Sequence, residues 1–138
     1  METNSTIRWK RVAAAGLVGA ILPIVILMIV ITIYGMINRV SDETALGRYG
    51  VAAGRWVGPI GGFTVTLVMS GWAGRANPGA AVKQGLIIGA VVVALDCLFG
   101  VAVTQGAAID LFEAMSLGGR IIAGALGGLL ARRGAVGA

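Results

Sequence analysis

Residues 12–37 pass 26 positions without one charged side chain. As a helix rising 1.5 Å per residue, this run reaches about 39 Å, more than the roughly 30 Å hydrocarbon core of a bilayer. It therefore reads as a transmembrane helix that tilts, or kinks at Pro23, where one backbone donor is missing in mid-helix. Arg8, Lys10 and Arg11 ahead of it imitate the start of a signal peptide. The run is too long for one, and no convincing small-residue cleavage site follows, so it is expected to stay as the first helix.

Composition points the same way. Only 12% of the 138 residues are charged and 57% are hydrophobic. A soluble domain carries roughly a quarter charged residues, and half that share cannot cover a surface facing water. Disordered chains are polar and rich in charge, which excludes disorder as well.

Three more apolar runs follow. Residues 56–74 are bracketed by Arg55 and Arg75, with Pro59 near the start, where a helix tolerates proline. Residues 84–104 are interrupted by Asp96, and residues 111–131 by Arg120, with Glu113 near their beginning. Asn77-Pro78-Gly79 marks a turn. The expected architecture is an all-α integral membrane protein: one domain over residues 1–138, a four-helix transmembrane bundle with spans at about 12–37, 56–74, 84–104 and 111–131. Residues 41–54 read as a loop in preference to a short interfacial helix capped by Ser41.

Basic residues set the direction. Seven of them (Arg8, Lys10, Arg11, Arg75, Lys83, Arg132 and Arg133) fall on the side holding the N-terminus, against Arg39, Arg48 and Arg55 on the other. The excess predicts both termini in the cytoplasm; the expected location is a bacterial inner membrane. Trp9, Tyr34, Trp56 and Trp72 lie at the ends of the proposed spans, as interfacial anchors do. The net charge of +5 is thus assigned to membrane anchoring, with the lipid bilayer as partner and no role for nucleic acid.

There are 23 glycines, and they sit inside the apolar runs. Small residues let helices approach closely in lipid, where hydrophobicity contributes little to association. Four-residue pairs occur at Ala15 and Gly19, Gly58 and Gly62, and Gly85 and Gly89. The last run is densest, with Gly119, Ala123 and Gly127 in one row and Gly124 with Gly128 beside it. It is expected to pack against two neighbours or at a homo-oligomer seam.

Charges inside a membrane cost a few kcal/mol each and normally face protein or water. Asp96 lies eight residues before Thr104, and Arg120 nine residues after Leu111, so in an antiparallel hairpin their depths agree to within about 2 Å. At about 100° per residue, Asp96 shares a face with Gly85, Gly89 and Gly100, and Arg120 with Ser116, Gly124, Gly127 and Ala131. An Asp96–Arg120 ion pair is predicted. It reads first as a lock on helix register, and secondarily as a proton or cation site.

Little else carries chemistry. Thr64, Thr66 and Ser70 offer a polar path, although such hydroxyls commonly bond back to their own helix. Asp110 and Glu113 form an acidic patch near the outer arginines, without a histidine to specify a metal. Cys97 reads as packing, and Asn4-Ser5-Thr6 is a glycosylation sequon on the predicted cytoplasmic side. With no histidine in the chain, no catalytic residue, metal site or cofactor is assigned, and no enzymatic activity is expected.

The segments GLIIGAVVVALD (from Gly85) and GGRIIAGALGGLLARR (from Gly118) resemble small glycine-rich four-helix membrane proteins of bacteria. The resemblance implies no activity. Small multidrug exporters rely on a glutamate in the first helix, which is uncharged here, and the polar pattern of fluoride channels is not found. The expected function is that of a structural or accessory subunit, packing against itself or a larger membrane complex. The alternative is a small oligomeric transporter or channel using Asp96 and Arg120.

Overall fold

The computed structural model describes residues 6–104 and 111–136, with side-chain surroundings for 6–99 and 111–135. These residues form four long helices and, among them, no strand: α1 (Trp9–Asn38), α2 (Glu43–Gly74), α3 (Ala81–Thr104) and α4 (Leu111–Val136). A single 3-10 turn at Pro78–Ala80 joins α2 to α3. Three helical stretches are long and apolar enough to cross a membrane: Trp9–Asn38, Pro78–Phe99 and Leu111–Ala135. That agrees with an integral membrane protein. α2 is the longest helix, but its glycines, single proline, serine and threonines dilute its apolar character, and it is not among the three.

Residues 43–54 are not a loop. They are the first turns of α2, which runs unbroken into the proposed second span. The cap is Asp42 rather than Ser41: its carboxylate accepts the Thr44 N–H at 3.2 Å, satisfying a donor exposed at the helix start. α1 ends with Arg39 in the left-handed region (φ 52°), and the Val40 N–H closes on the Gly35 carbonyl at 3.0 Å. A helical hairpin with a very short connection results.

The reason residues 43–54 fold this way lies along α1. A Cβ on Gly35 would sit 3.1 Å from Leu46 Cδ2, one on Gly50 3.0 Å from Ile31 Cδ1, and one on Gly54 3.5 Å from Leu27 Cδ2. Further down, Pro23 faces Gly61 and Gly19 faces Thr66. Position sums near 81 to 85 at every contact define one continuous antiparallel register. Tyr34 and Tyr49 stack across it, centroids 3.6 Å apart and planes within 6°. α1 continues through Pro23, which is buried.

The other contacts set direction. Gly85 opposes Gly124, and Gly89 opposes Arg120 and Ile121, so α3 and α4 are antiparallel. Gly127 meets Leu67 and Ser70, and Gly74 meets Ala131, so α2 and α4 run parallel. Gly16 and Gly19 meet Val91 and Val92, which makes α1 parallel to α3. All seven basic residues named above for the N-terminal side therefore belong to one end of the bundle, here termed the basic end. The core there comprises Val12, Ala15, Ala73, Ile88 and Val92. Outward faces carry large apolar side chains such as Met28, Ile33, Val68, Leu86 and Ile122.

Candidate functional site

Helices α3 and α4 approach until backbone meets backbone. A Cβ added to Gly85 would overlap the Gly124 carbonyl oxygen, and one on Gly128 would overlap that of Ala81. One on Gly89 would lie 2.8 Å from the Arg120 carbonyl oxygen and 2.9 Å from Ile121 Cα. On its other flank, α4 presses Gly127 onto the Leu67 carbonyl and Ser70 Cβ of α2. Only glycine fits at these positions.

Arg120 occupies the next position of this ladder after Gly128 and Gly124. Its backbone rests on Gly89, while its side chain is paired with the Asp96 carboxylate through Nη1 and Oδ2. Asp96 is seven residues beyond Gly89, so the two side chains together bridge about 10 Å along the bundle. The equal-depth expectation is thus corrected: contacts near position sum 209 set Asp96 opposite residue 113, not opposite Arg120. The ends of α3 and α4 are not level. The pair forms because helical side chains lean toward their helix N-terminus, and Arg120 and Asp96 lean toward each other from opposite directions.

α2 completes the site. The guanidinium lies on Gly62, where a Cβ would be 2.6 Å from Nε, 2.7 Å from Nη2 and 2.8 Å from Cζ. Nη2 also donates to the Gly58 carbonyl oxygen, at a long 3.5 Å. Both charged side chains are largely hidden, Arg120 at 9% exposure and Asp96 at 16%. Three helices therefore hold one arginine. Chemically, this arrangement fixes a cation and neutralises it; it presents no nucleophile with a base.

Other residues singled out by sequence have varied placements. Gly85, Gly89, Gly124, Gly127 and Gly128 make the close contacts described, and Ala123 is fully buried. Gly119 is looser than its row suggested, meeting only Phe63 Cδ2 at 3.8 Å. Gly100 and Asp110 lie outside the residues with described surroundings. Trp9 and Trp72 are exposed at the basic end, with Arg11 Cζ 5.2 Å from the Trp72 ring centroid. Trp56 is exposed within α2 and not at a helix end, and Tyr34 is engaged by Tyr49. Among the described residues no group of His, Cys, Asp and Glu is arranged to hold a metal.

Two features were not singled out from sequence. Gly62 appeared only as one of a small-residue pair, and its spacing from Gly58 gave no sign that it seats a guanidinium. Gln84 served merely as the start of a span, yet its side chain is fully buried. A long amide among Ala81, Gly85 and Ile88 was the available signal. Comparison with protein-family models, with curated proteins and with solved structures returns no match for this chain.

Proposed function

We propose that this is a multi-pass protein of the bacterial cytoplasmic membrane that works by packing, as a structural or accessory subunit of a membrane complex or a homo-oligomer. The observation that carries the reading is the seating of Arg120. Its guanidinium is paired with Asp96, laid on Gly62 and directed to the Gly58 carbonyl, so a single side chain ties α2, α3 and α4. A transported ion needs a charge free to change partners, whereas this one is held on three sides. The seven basic residues at one end support an orientation with both termini inside, and α2 then serves as the fourth span.

A second reading, a small oligomeric transporter or channel, draws support from buried hydroxyls near the pair, which do not bond back to their helix. Native mass spectrometry of protein extracted gently from its own membrane, paired with flux measurements in liposomes, separates the two. A stoichiometric larger partner, or a homo-oligomer that carries no flux, supports the packing role. Flux that disappears in Asp96→Asn while folded yield is unchanged overturns it in favour of transport.

A further inference from the structure

Three interior side chains carry polar atoms that are sealed from the surface and have no partner among the described residues. They are Thr66 Oγ1, Ser70 Oγ and both amide atoms of Gln84, and all three residues are 0% exposed. Arg120 Nε is likewise without a protein acceptor. On the bundle surface the usual remedy operates: Thr32 donates to the Met28 carbonyl and Thr64 to that of Ile60, each at 2.8 Å. Thr66 and Ser70, which face inward, do not follow it.

These atoms fall at neighbouring depths along the bundle. Thr66 and Ser70 are one and two turns from Gly62, the seat of Arg120, on nearly the same face of α2. Thr66 is turned to the bundle centre, 3.9 Å from where a Cβ on Gly19 would sit. Gly74 and Ala81 touch at the start of α3 (3.1 Å from a Gly74 Cβ to the Ala81 Cβ). Counted from that contact, Ser70 is four residues back and Gln84 three residues on, so their depths agree to within about 1.5 Å. The series thus begins at the ion pair and extends about 12 Å toward the basic end.

A buried polar atom without a partner carries its full desolvation cost, and several together would consume much of the narrow margin that keeps a domain folded. Something must satisfy them, and Gln84 identifies its chemistry. Its amide requires an acceptor and a donor side by side. A monovalent cation would meet Oε1 and the two hydroxyls but leave the NH2 group unpaired, and would add positive charge near Arg120. Lipid tails satisfy neither. Water supplies both functions. We infer that the bundle interior binds a file of ordered water along Gln84, Ser70 and Thr66, reaching the Nε–H of Arg120 from the basic end. This holds whether the protein acts by packing or by transport.

The test is water-edited solid-state NMR on the full chain in lipid bilayers, following magnetisation from water to the Thr66 methyl and the Gln84 side-chain amide. The methyls of Ala15 and Val12, equally buried but in apolar surroundings, are the dry references. Transfer to Thr66 and Gln84 should build up several-fold faster than to the references. In Thr66→Val, in samples with an unchanged unfolding temperature, transfer to Arg120 Nε should fall. Build-up at Thr66 and Gln84 no faster than at Ala15 and Val12 overturns the inference. So does a Gln84 resonance that shifts with added sodium or potassium while its water transfer stays at the dry level.

Discussion

The α3–α4 seam and the α1–α2 hairpin are both rich in glycine at helical spacing, yet their glycines do different work. In the seam, an added Cβ would strike main-chain atoms: the Gly124 carbonyl from Gly85, the Ala81 carbonyl from Gly128, the Arg120 carbonyl from Gly89. In the hairpin it would meet the ends of side chains, such as Leu46 Cδ2 from Gly35 or Ile31 Cδ1 from Gly50. A side chain can change rotamer, but a carbonyl moves only with its helix. Glycine content by itself is therefore a poor guide to packing; the neighbour's identity decides how rigid the contact is.

The sharpest way to break this contrast is at the charge seated in the rigid part. Asp96→Ala should leave Arg120 buried without its counter-charge and destabilise the bundle by about 3–5 kcal/mol. Reversible unfolding in mild detergent measures it. Exchanging the two residues should restore part of the loss, since Arg at 96 would lean back toward Asp at 120, although Gly62 would no longer seat a guanidinium. No recovery in the exchanged protein would mean that the pair is not the source of the stability.

Next in size come the ladder glycines. Gly85→Ala and Gly124→Ala should each cost about 1–3 kcal/mol by forcing α3 and α4 apart. Gly62→Ala should fall within the same range, by displacing a guanidinium that Asp96 prevents from retreating. Losses at Gly35→Ala and Gly50→Ala as large as those at the seam would erase the distinction drawn here.

Smaller still is the Tyr34–Tyr49 stack. Tyr49→Ala should cost about 0.5–1.5 kcal/mol beyond the lost apolar contact, and should loosen only the hairpin, read as faster amide exchange over residues 43–50 with the seam unchanged. Least of all, Gly118→Ala and Gly47→Ala should be neutral or slightly stabilising, because nothing stands within 4 Å of the added atom and alanine favours helix. A clear loss at Gly118 in membranes, absent in detergent, would instead reveal a partner packed on that face.

How far the sequence disclosed all this varied with the kind of signal. Long apolar runs are one-dimensional signals, so the helical class and the α1, α3 and α4 segments were readable directly. The Asp96–Arg120 contact emerged from facing stripes, although the register behind it differed by nearly two turns. The loop assigned to residues 41–54 failed for a physical reason. Ser, Asp, Glu, Arg and Gly together resemble a connector, and only pairing with α1 gives Leu46, Gly50, Gly54 and Gly61 a shared purpose. The seat at Gly62 and the sealed amide of Gln84 depend on three helices at once, which no pattern along one segment encodes.

The ion pair also constrains how the molecule is made. Neither Asp96 nor Arg120 can enter lipid alone without a penalty of about 2.5–3.5 kcal/mol on insertion scales. Joined, each offsets part of the other's cost. α3 therefore gains from waiting at the translocation channel until α4 has emerged from the ribosome, so that both partition sideways into the membrane as a unit. Assembly order is thus written into the position of one arginine, and truncating the chain before Arg120 should leave α3 poorly inserted even though its own sequence is intact.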